Sequence, residues 1–450
     1  MPNAKRTLVY RIRGLPLSCT KEQLATTLKA LLSEQEKVTF RPKIKLVPSC
    51  YHDSSQTAFL SVETPPIFLS QLTTDPLSDW QEETNLEGPI DLNFDRHFHG
   101  FTQLYSPDSD EPYNADVIAI TGLDGHAFGS WRGKSDLGCM WLQDFLERDL
   151  SRCRTLIYGY NSKLQSRGIH TMLDYCSEFL EELKKIRSTS EEVRRSLVLI
   201  GHSFGGLIVA QTLIKAKQYD RDINPTLAGL YDSIIAIMFF ATPHRGLLVD
   251  DIQALIGEDP TNPRTSLVGE IRFGSQRLID QLNDFKNVIR GRRIVNFIEM
   301  QQTRRLQKDA SAFWSRSGDL ITVLSSDSAL LHLPDHDEIK VRAEADHSSI
   351  VKFDTKFSPI YQSALKYLLE YEAEAVRRKS PHTNIRKEVS NIVAECPPSQ
   401  EATSSKTREQ QFKNSCSHTN TQNSLPETAV ERIGMTVVHD PPAASICSRT

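Results

Sequence analysis

The segment with the greatest chemical promise is Gly201-His202-Ser203-Phe204-Gly205, set inside SLVLIGHSFGGLIVAQTLIKA. G-x-S-x-G arises by chance in many chains. Here an apolar run precedes it and an apolar-periodic run follows, the strand–turn–helix setting in which it forms a nucleophile elbow. A strand turning that sharply into a helix strains the backbone of the middle residue. Gly201 and Gly205 allow an approach that side chains would block, and Gly206 lets the helix lie close on the sheet. Ser203 then stands at a helix N-terminus, where the dipole favours a developing anion. The chemistry this implies is acyl transfer.

A serine hydroxyl needs a base, and the base needs an orienting carboxylate. In this kind of fold the order along the chain is Ser, acid, His. His347, in EADHSSIVKF, falls in a loop before the final helical pattern and is the candidate base. His332 and His336 lie in a polar loop and read as surface. His244, in FFATPHRG, comes too early to be the base and is a candidate substrate contact. Two carboxylates compete for the acid. Glu299 ends RRIVNFIEM, whereas Asp327, in SSDSAL, follows the apolar run LITVLS; Asp319 is a distant third. Position favours Glu299 and leaves Asp327 open as the alternative.

Two backbone amides would receive the oxyanion: that of Phe204, and that of Leu123 in the glycine-rich loop GLDGHAFG after DVIAIT. His126 in that loop reads as a structural or substrate-contacting residue. None of this chemistry calls on a metal or an organic cofactor.

Residues 100–372 supply the elements that must hold these groups. Apolar runs at 116–121, 154–160, 196–201, 233–240, 292–298 and 320–325 read as strands, with helical patterns between most of them. Near-continuous apolar strands alternating with helices predict a mainly parallel, doubly wound sheet covered on both faces. Residues 247–291 break the rhythm and read as a lid-like insertion over the carboxyl edge, where ligands bind in such sheets.

Ahead of this lies a smaller unit. TLVYRIRG, CTKEQLATTLKALL with Thr20 as N-cap, KVTFRPKIKLV, TAFLSVE, PPIFLSQL and PIDLNF read as β-α-β-β-α-β, a ferredoxin-like α+β module. RNA-recognition modules share that order and stack bases on aromatics of two central strands. Arg11 occupies one such position and Phe59 is the lone aromatic near the other, so a structural or partner-docking role is preferred and nucleic acid is not expected. The acidic stretch from Thr73 to Gly88, with Trp80, reads as an exposed loop. The domain division is 1–93, 94–375 and a polar tail, 376–450, whose composition predicts disorder.

The whole chain has 450 residues, a formal charge of −4 and 39% hydrophobic residues, so no global basic excess draws it to nucleic acid or anionic lipid. Its eight cysteines include no C-x-x-C pair, which argues against a disulfide framework or zinc site and suits a reducing compartment. The N-terminus lacks the apolar run of a secretory signal. The longest apolar stretch, Ser196–Ile214, holds the elbow and is not read as membrane-spanning.

The ordered runs ITGLDGHAFGSW, RTLIYGYNS, LIGHSFGGLIVAQTL, FFATPHRG, VNFIEM, DSALL and ADHSSIVKF resemble the serine-active-site-containing, lipase-like branch of the α/β-hydrolases, over about residues 94–371. Relatives include the GPI inositol-deacylase type and hydrolase domains of large fungal proteins. The resemblance implies a serine hydrolase acting on an ester, most naturally of a lipid. It also implies an intracellular protein, cytoplasmic or peripheral to mitochondrial or endoplasmic-reticulum membranes. Thr121 stands where the family usually carries a His before Gly, and the family does not fix which acid acts. The alternative is a non-catalytic hydrolase-fold scaffold, with protein partners recruited through the N-terminal module or the tail.

Overall fold

The alternation of apolar runs and helical patterns resolves into two antiparallel or parallel sheets and a hairpin in the computed structural model. It describes residues 7–394, apart from 87, 107–111, 136–137, 258, 260 and 309–313. The first sheet is antiparallel and has five strands: β1 (Leu8–Pro16), β2 (Lys43–Pro48), β3 (Ser55–Val62), β4 (Asp79–Asn85) and β5 (Pro89–Asp95), in the order β2-β3-β1-β5-β4. Removing β4 leaves the ferredoxin-like arrangement expected. The helix Lys21–Ala30 begins at Thr20, whose hydroxyl accepts from the Gln23 amide while the Gln23 side chain accepts from the Thr20 amide, a full capping box. Two expectations are corrected here. Residues 37–39, read as the start of a strand, close a short helix, Glu34–Thr39, capped by Ser33. The acidic stretch around Trp80 is not a loop but strand β4, whose polar composition suits its place at the sheet edge.

The second sheet has seven strands: β6 (Gly100–Gln103), β7 (Ala115–Ile120), β8 (Cys153–Gly159), β9 (Ser196–His202), β10 (Ile234–Phe240), β11 (Arg293–Glu299) and, last in the chain, a strand Glu338–Ala343. Between β11 and that last strand stands a separate hairpin of β12 (Thr303–Lys308) and β13 (Trp314–Ile321), so Glu338–Ala343 is β14. The order is β14-β11-β10-β9-β7-β8-β6, parallel throughout except for the antiparallel edge strand β6. This is the α/β-hydrolase sheet. β7, β8, β9 and β10 are buried at every residue, as strands covered on both faces must be. The run 320–325 is therefore not a sheet strand; its first residues close the hairpin, and EIKVRA takes the place it was expected to fill.

The supposed insertion also divides. The helix Gln276–Val288 is the ordinary crossover between β10 and β11: Leu278, Leu282 and Phe285 are buried, and Gln281 Nε2 donates to Leu207 O at 2.7 Å. The stretch before it stays by the carboxyl edge, where fully buried Arg264 donates to Ser166 Oγ at 2.6 Å in the loop after β8. The last helix, Pro359–Ala394, continues past residue 376, beyond the point where polar composition predicted order to cease; the rest of the tail lies outside the described residues. Among the described residues no helix is long and apolar enough to cross a membrane.

The two sheets share a seam. The β1 face that an RNA-recognition module would present is turned onto the second sheet: Arg11 and Phe59 are each 2% exposed. Arg11 donates to Asp95 Oδ2 (2.8 Å), Thr102 Oγ1 (2.7 Å) and His99 O (2.9 Å), so its charge is spent on both units and on the connector between them. Lys45–Glu147, Tyr51–Glu182 and His52–Glu192 cross the same seam. Asp79, Asp95 and His97 gather ligand atoms within 4.8 Å of one another, but Arg11 and Arg13 already engage these carboxylates.

Candidate active site

β9 ends at His202, and the helix Phe204–Gln218 starts two residues later. Ser203 joins them with φ 52° and ψ −125°, a left-handed backbone that a non-glycine residue adopts only where its surroundings impose it. Two glycines show how tight the turn is. A Cβ on Gly206 would lie 2.0 Å from Thr242 Oγ1, and one on Gly122 would lie 2.9 Å from Ser203 Cβ. The helix that follows is apolar on nearly every side and buried at 12 of its residues, including Gly205 to Ile214 without a break, so it is anchored in the core.

A serine at a helix N-cap ordinarily folds its hydroxyl back onto the helix amides. Ser203 makes no such bond. Its Oγ lies 2.9 Å from His347 Nε2, and His347 Nδ1 lies 2.7 Å from Glu299 Oε2. A carboxylate only accepts, so Nδ1 carries the proton and Nε2 is the bare nitrogen that accepts from the serine. The Glu299 and His347 side chains are only 3% and 12% exposed, which keeps water from weakening the pair. Glu299 is held by its position as the last residue of β11, in register with Ala343 of β14.

The loop carrying His347 is fixed independently of these side chains. Asp346 Oδ1 accepts from the Ser348 and Ser349 amides, both at 2.8 Å. The His347 amide donates to Thr303 Oγ1 at 3.2 Å, and His202 Nε2 donates to the His347 carbonyl at 2.9 Å. Burial, followed by the neighbouring His347, pushes the His202 pKa down to about 3, so the ring is neutral. Neither His202 nor Thr303 was assigned a role from the sequence. His202 lies inside the elbow pentapeptide, which was a signal; Thr303 begins a hairpin strand and had none.

The other candidates separate clearly. Asp327 lies in the short helix Ser326–Ala329, 53% exposed, bonded to Arg245 Nη1 and His332 Nε2, each at 2.9 Å. It makes no contact with His347. The Leu123 and Phe204 amides have no hydrogen-bond acceptor among the described residues, which for Phe204 is the ordinary state of the first amide of a helix. His126 does not offer a free nitrogen to a substrate: Nε2 donates to Arg96 O at 2.6 Å, and Nδ1 accepts from the Phe128 and Gly129 amides at 3.2 and 2.8 Å. His244 is 3% exposed, packed edge-on to Phe239 and flat against Phe285. It is a core residue, and burial pushes its pKa down to about 3. For His126 the hydrogen bonds fit the structural one of its two readings, and His244 lies in the core where a substrate contact was expected.

Residues 154–250 match the family described as PGAP1-like alpha/beta domain. Protein SERAC1 of Mus musculus is 25% identical over 284 residues, which cover 58% of this chain and 39% of that protein. Protein SERAC1 of Homo sapiens is 24% identical over 291 residues, covering 58% and 39%. The matched part therefore spans about two fifths of the length of these curated relatives. Among solved structures, the mature Bacillus licheniformis lipase BlEst2 aligns with a TM-score of 0.38 at 14% identity, over 59% of this chain and 97% of that one. The phospholipase PlaB from Legionella pneumophila in complex with thio-NAD aligns with a TM-score of 0.30 at 14% identity, over 44% and 39%. The order of the seven-stranded sheet and the elbow at Ser203 are those of an α/β-hydrolase fold, as the sequence motifs led one to expect.

Proposed function

We propose that this chain is a serine hydrolase of lipase or esterase type, cleaving a carboxylic ester of a lipid through an acyl-enzyme on Ser203. The observation that carries this reading is the unbroken hydrogen-bonded chain Ser203–His347–Glu299 at a strained elbow. In the first half-reaction the Ser203 hydroxyl attacks the ester carbonyl while His347 Nε2 takes its proton. The amides of Leu123 and Phe204 receive the oxyanion, and the positive end of the helix Phe204–Gln218 adds to their field. Glu299 stabilises the imidazolium that forms. The imidazolium then protonates the departing alcohol. In the second half, His347 takes a proton from water, which attacks the acyl carbonyl and frees Ser203.

A fluorophosphonate probe is expected to label the wild-type chain and not Ser203→Ala. p-Nitrophenyl esters of graded length are expected to turn over and to report the acyl pocket. Equal labelling of both proteins, with no turnover at any chain length, would replace this reading with the scaffold alternative. By family resemblance the enzyme acts inside the cell and reaches a mitochondrial or endoplasmic-reticulum membrane peripherally. Sedimentation of the native protein with such membranes, released by high salt or alkali, is the expected behaviour.

A further inference from the structure

The N-terminal module is given no task by the hydrolase chemistry, yet its buried face leads straight to the loop that carries Leu123. Phe59 of β3 sits with its ring centroid 5.6 Å from Phe128 and 6.0 Å from Phe98, and Phe98 and Phe128 stack at 5.3 Å. Phe128 belongs to the glycine-rich loop; Phe98 belongs to the connector between the two sheets. Phe98 is fully buried and has φ 56°, a left-handed backbone that a bulky side chain does not adopt unless forced. What forces it is on the same seam: Asp95 Oδ1 accepts from the Phe98 amide at 2.9 Å, and Arg11 binds both Asp95 and the His99 carbonyl. The strain is thus held by module residues.

The second link is His126. Its Nε2 donates to the connector carbonyl of Arg96, while Nδ1 gathers two amides of its own loop, and the ring packs edge-on to Phe98 at 5.7 Å. On its other side the loop is tied to the end of β8: Tyr160 Oη donates to Thr121 O at 2.9 Å, and the Asp124 amide donates to Ser162 O at 2.8 Å. Leu123 lies within the second set, between Thr121 and Asp124, and the ties to the module begin three residues further on, at His126.

We propose that the N-terminal module is a brace for the oxyanion loop, with His126 and the Phe59–Phe98–Phe128 stack as positioning residues for the Leu123 amide. This rests on the hydrolase reading for the loop's task, but not for the mechanical link. A donor displaced by about 1 Å loses most of its effect on a transition state while leaving ground-state binding nearly intact.

The test uses the full chain and two kinds of readout. Phe59→Ala is expected to lower kcat on a p-nitrophenyl ester by about 10- to 100-fold with KM within about twofold. The conservative Phe59→Leu is expected to restore kcat to within about threefold of wild type. Hydrogen exchange is expected to quicken by about tenfold or more at amides of residues 121–129 in Phe59→Ala and in His126→Gln. The amides of 197–216 should keep wild-type protection. Unchanged exchange at 121–129 in both variants would overturn the proposal, as would an equal rise across the whole sheet or a loss confined to KM. If the wild type neither turns over esters nor takes a fluorophosphonate, it is the hydrolase reading that fails; the exchange pattern still decides whether the module holds the loop.

Discussion

Replacing Glu299 by Gln keeps the shape of the side chain and an oxygen able to accept from His347 Nδ1, and removes only the charge. The partners lie 2.7 Å apart, with both side chains nearly excluded from water. Taking the centres of the delocalised charges as about 4 Å apart and an effective dielectric of about 20, the attraction between carboxylate and imidazolium is about 4 kcal/mol. That attraction exists only once His347 has taken the serine proton, so its loss falls on the barrier. At 1.36 kcal/mol per factor of ten, Glu299→Gln is expected to lower kcat about a thousandfold. Loss of the orienting carboxylate in Ser-His-Asp triads costs about 10⁴, within a factor of ten of this. The assay is steady-state hydrolysis of a p-nitrophenyl ester, with circular dichroism to show that the variant is folded. Asp327→Asn is the companion. Its exposed pairs with Arg245 and His332 contribute about 1 kcal/mol at most, none of it to catalysis, so its rate should match wild type. Glu299→Gln retaining a tenth of the activity, or Asp327→Asn losing more than it, would refute the assignment.

Gly122→Val forces side-chain atoms against Ser203 and is expected to reduce fluorophosphonate labelling at least tenfold and to cost about 1–3 kcal/mol in urea unfolding. Gly206→Ala drives a methyl into Thr242 and is expected to cost about 1–3 kcal/mol in urea unfolding. His202→Phe keeps a ring but removes the donor to the His347 carbonyl; kcat should fall on the order of 100-fold, KM remaining near wild type, with the donor-bearing His202→Gln recovering part of the loss. His202 and His244 are neutral in the fold, both with pKa pushed down to about 3 by burial first, whereas in the unfolded chain each titrates near 6.5. The unfolded state therefore binds more protons below that pH. Stability from these two is fully present above about pH 6.5 and falls by roughly 3 kcal/mol per pH unit below it, read by urea unfolding at pH 7.5, 6.5 and 5.5; a flat profile would contradict their buried, neutral state.

What the sequence disclosed and what it hid follow from where each strand sits. β7 to β10 are buried on both faces and read as plain apolar runs, and the elbow between β9 and its helix was visible from residue types alone. In the two larger sheets the strands that escaped notice, β4, β6 and β14, all lie at edges. An edge strand has one side free of neighbours, and β14 reads Glu-Ile-Lys-Val-Arg-Ala with exposed Lys340 and Arg342, whereas β6 is only four residues long, too short to show a pattern. Missing β14 mattered most. It let LITVLS pass as the last strand, which placed Asp327 after it as a rival acid; with β14 in the sheet, Glu299 at the end of β11 is the carboxylate beside His347. The two readings open for His126, structural or substrate-contacting, could be weighed only once its hydrogen-bond partners were on the page, and His244 could be placed in the core only once its burial against Phe239 and Phe285 was.

The order of strands in the large sheet also sets a timetable for synthesis. Ser203 follows a central strand, while Glu299 ends β11 and His347 follows β14, the last two sheet strands to be made, and Ser203 precedes His347 by 144 residues. At about 5–20 residues per second, Ser203 leaves the ribosome roughly 7 to 30 seconds before its base. Until β11 docks beside β10 and β14 beside β11, the growing chain carries the elbow without its proposed base and, on the proposed reading, cannot be acylated. Chains cut short anywhere before residue 347 should share that inert state, so esterase activity in a translation reaction would report completion of the sheet and not merely the presence of its serine.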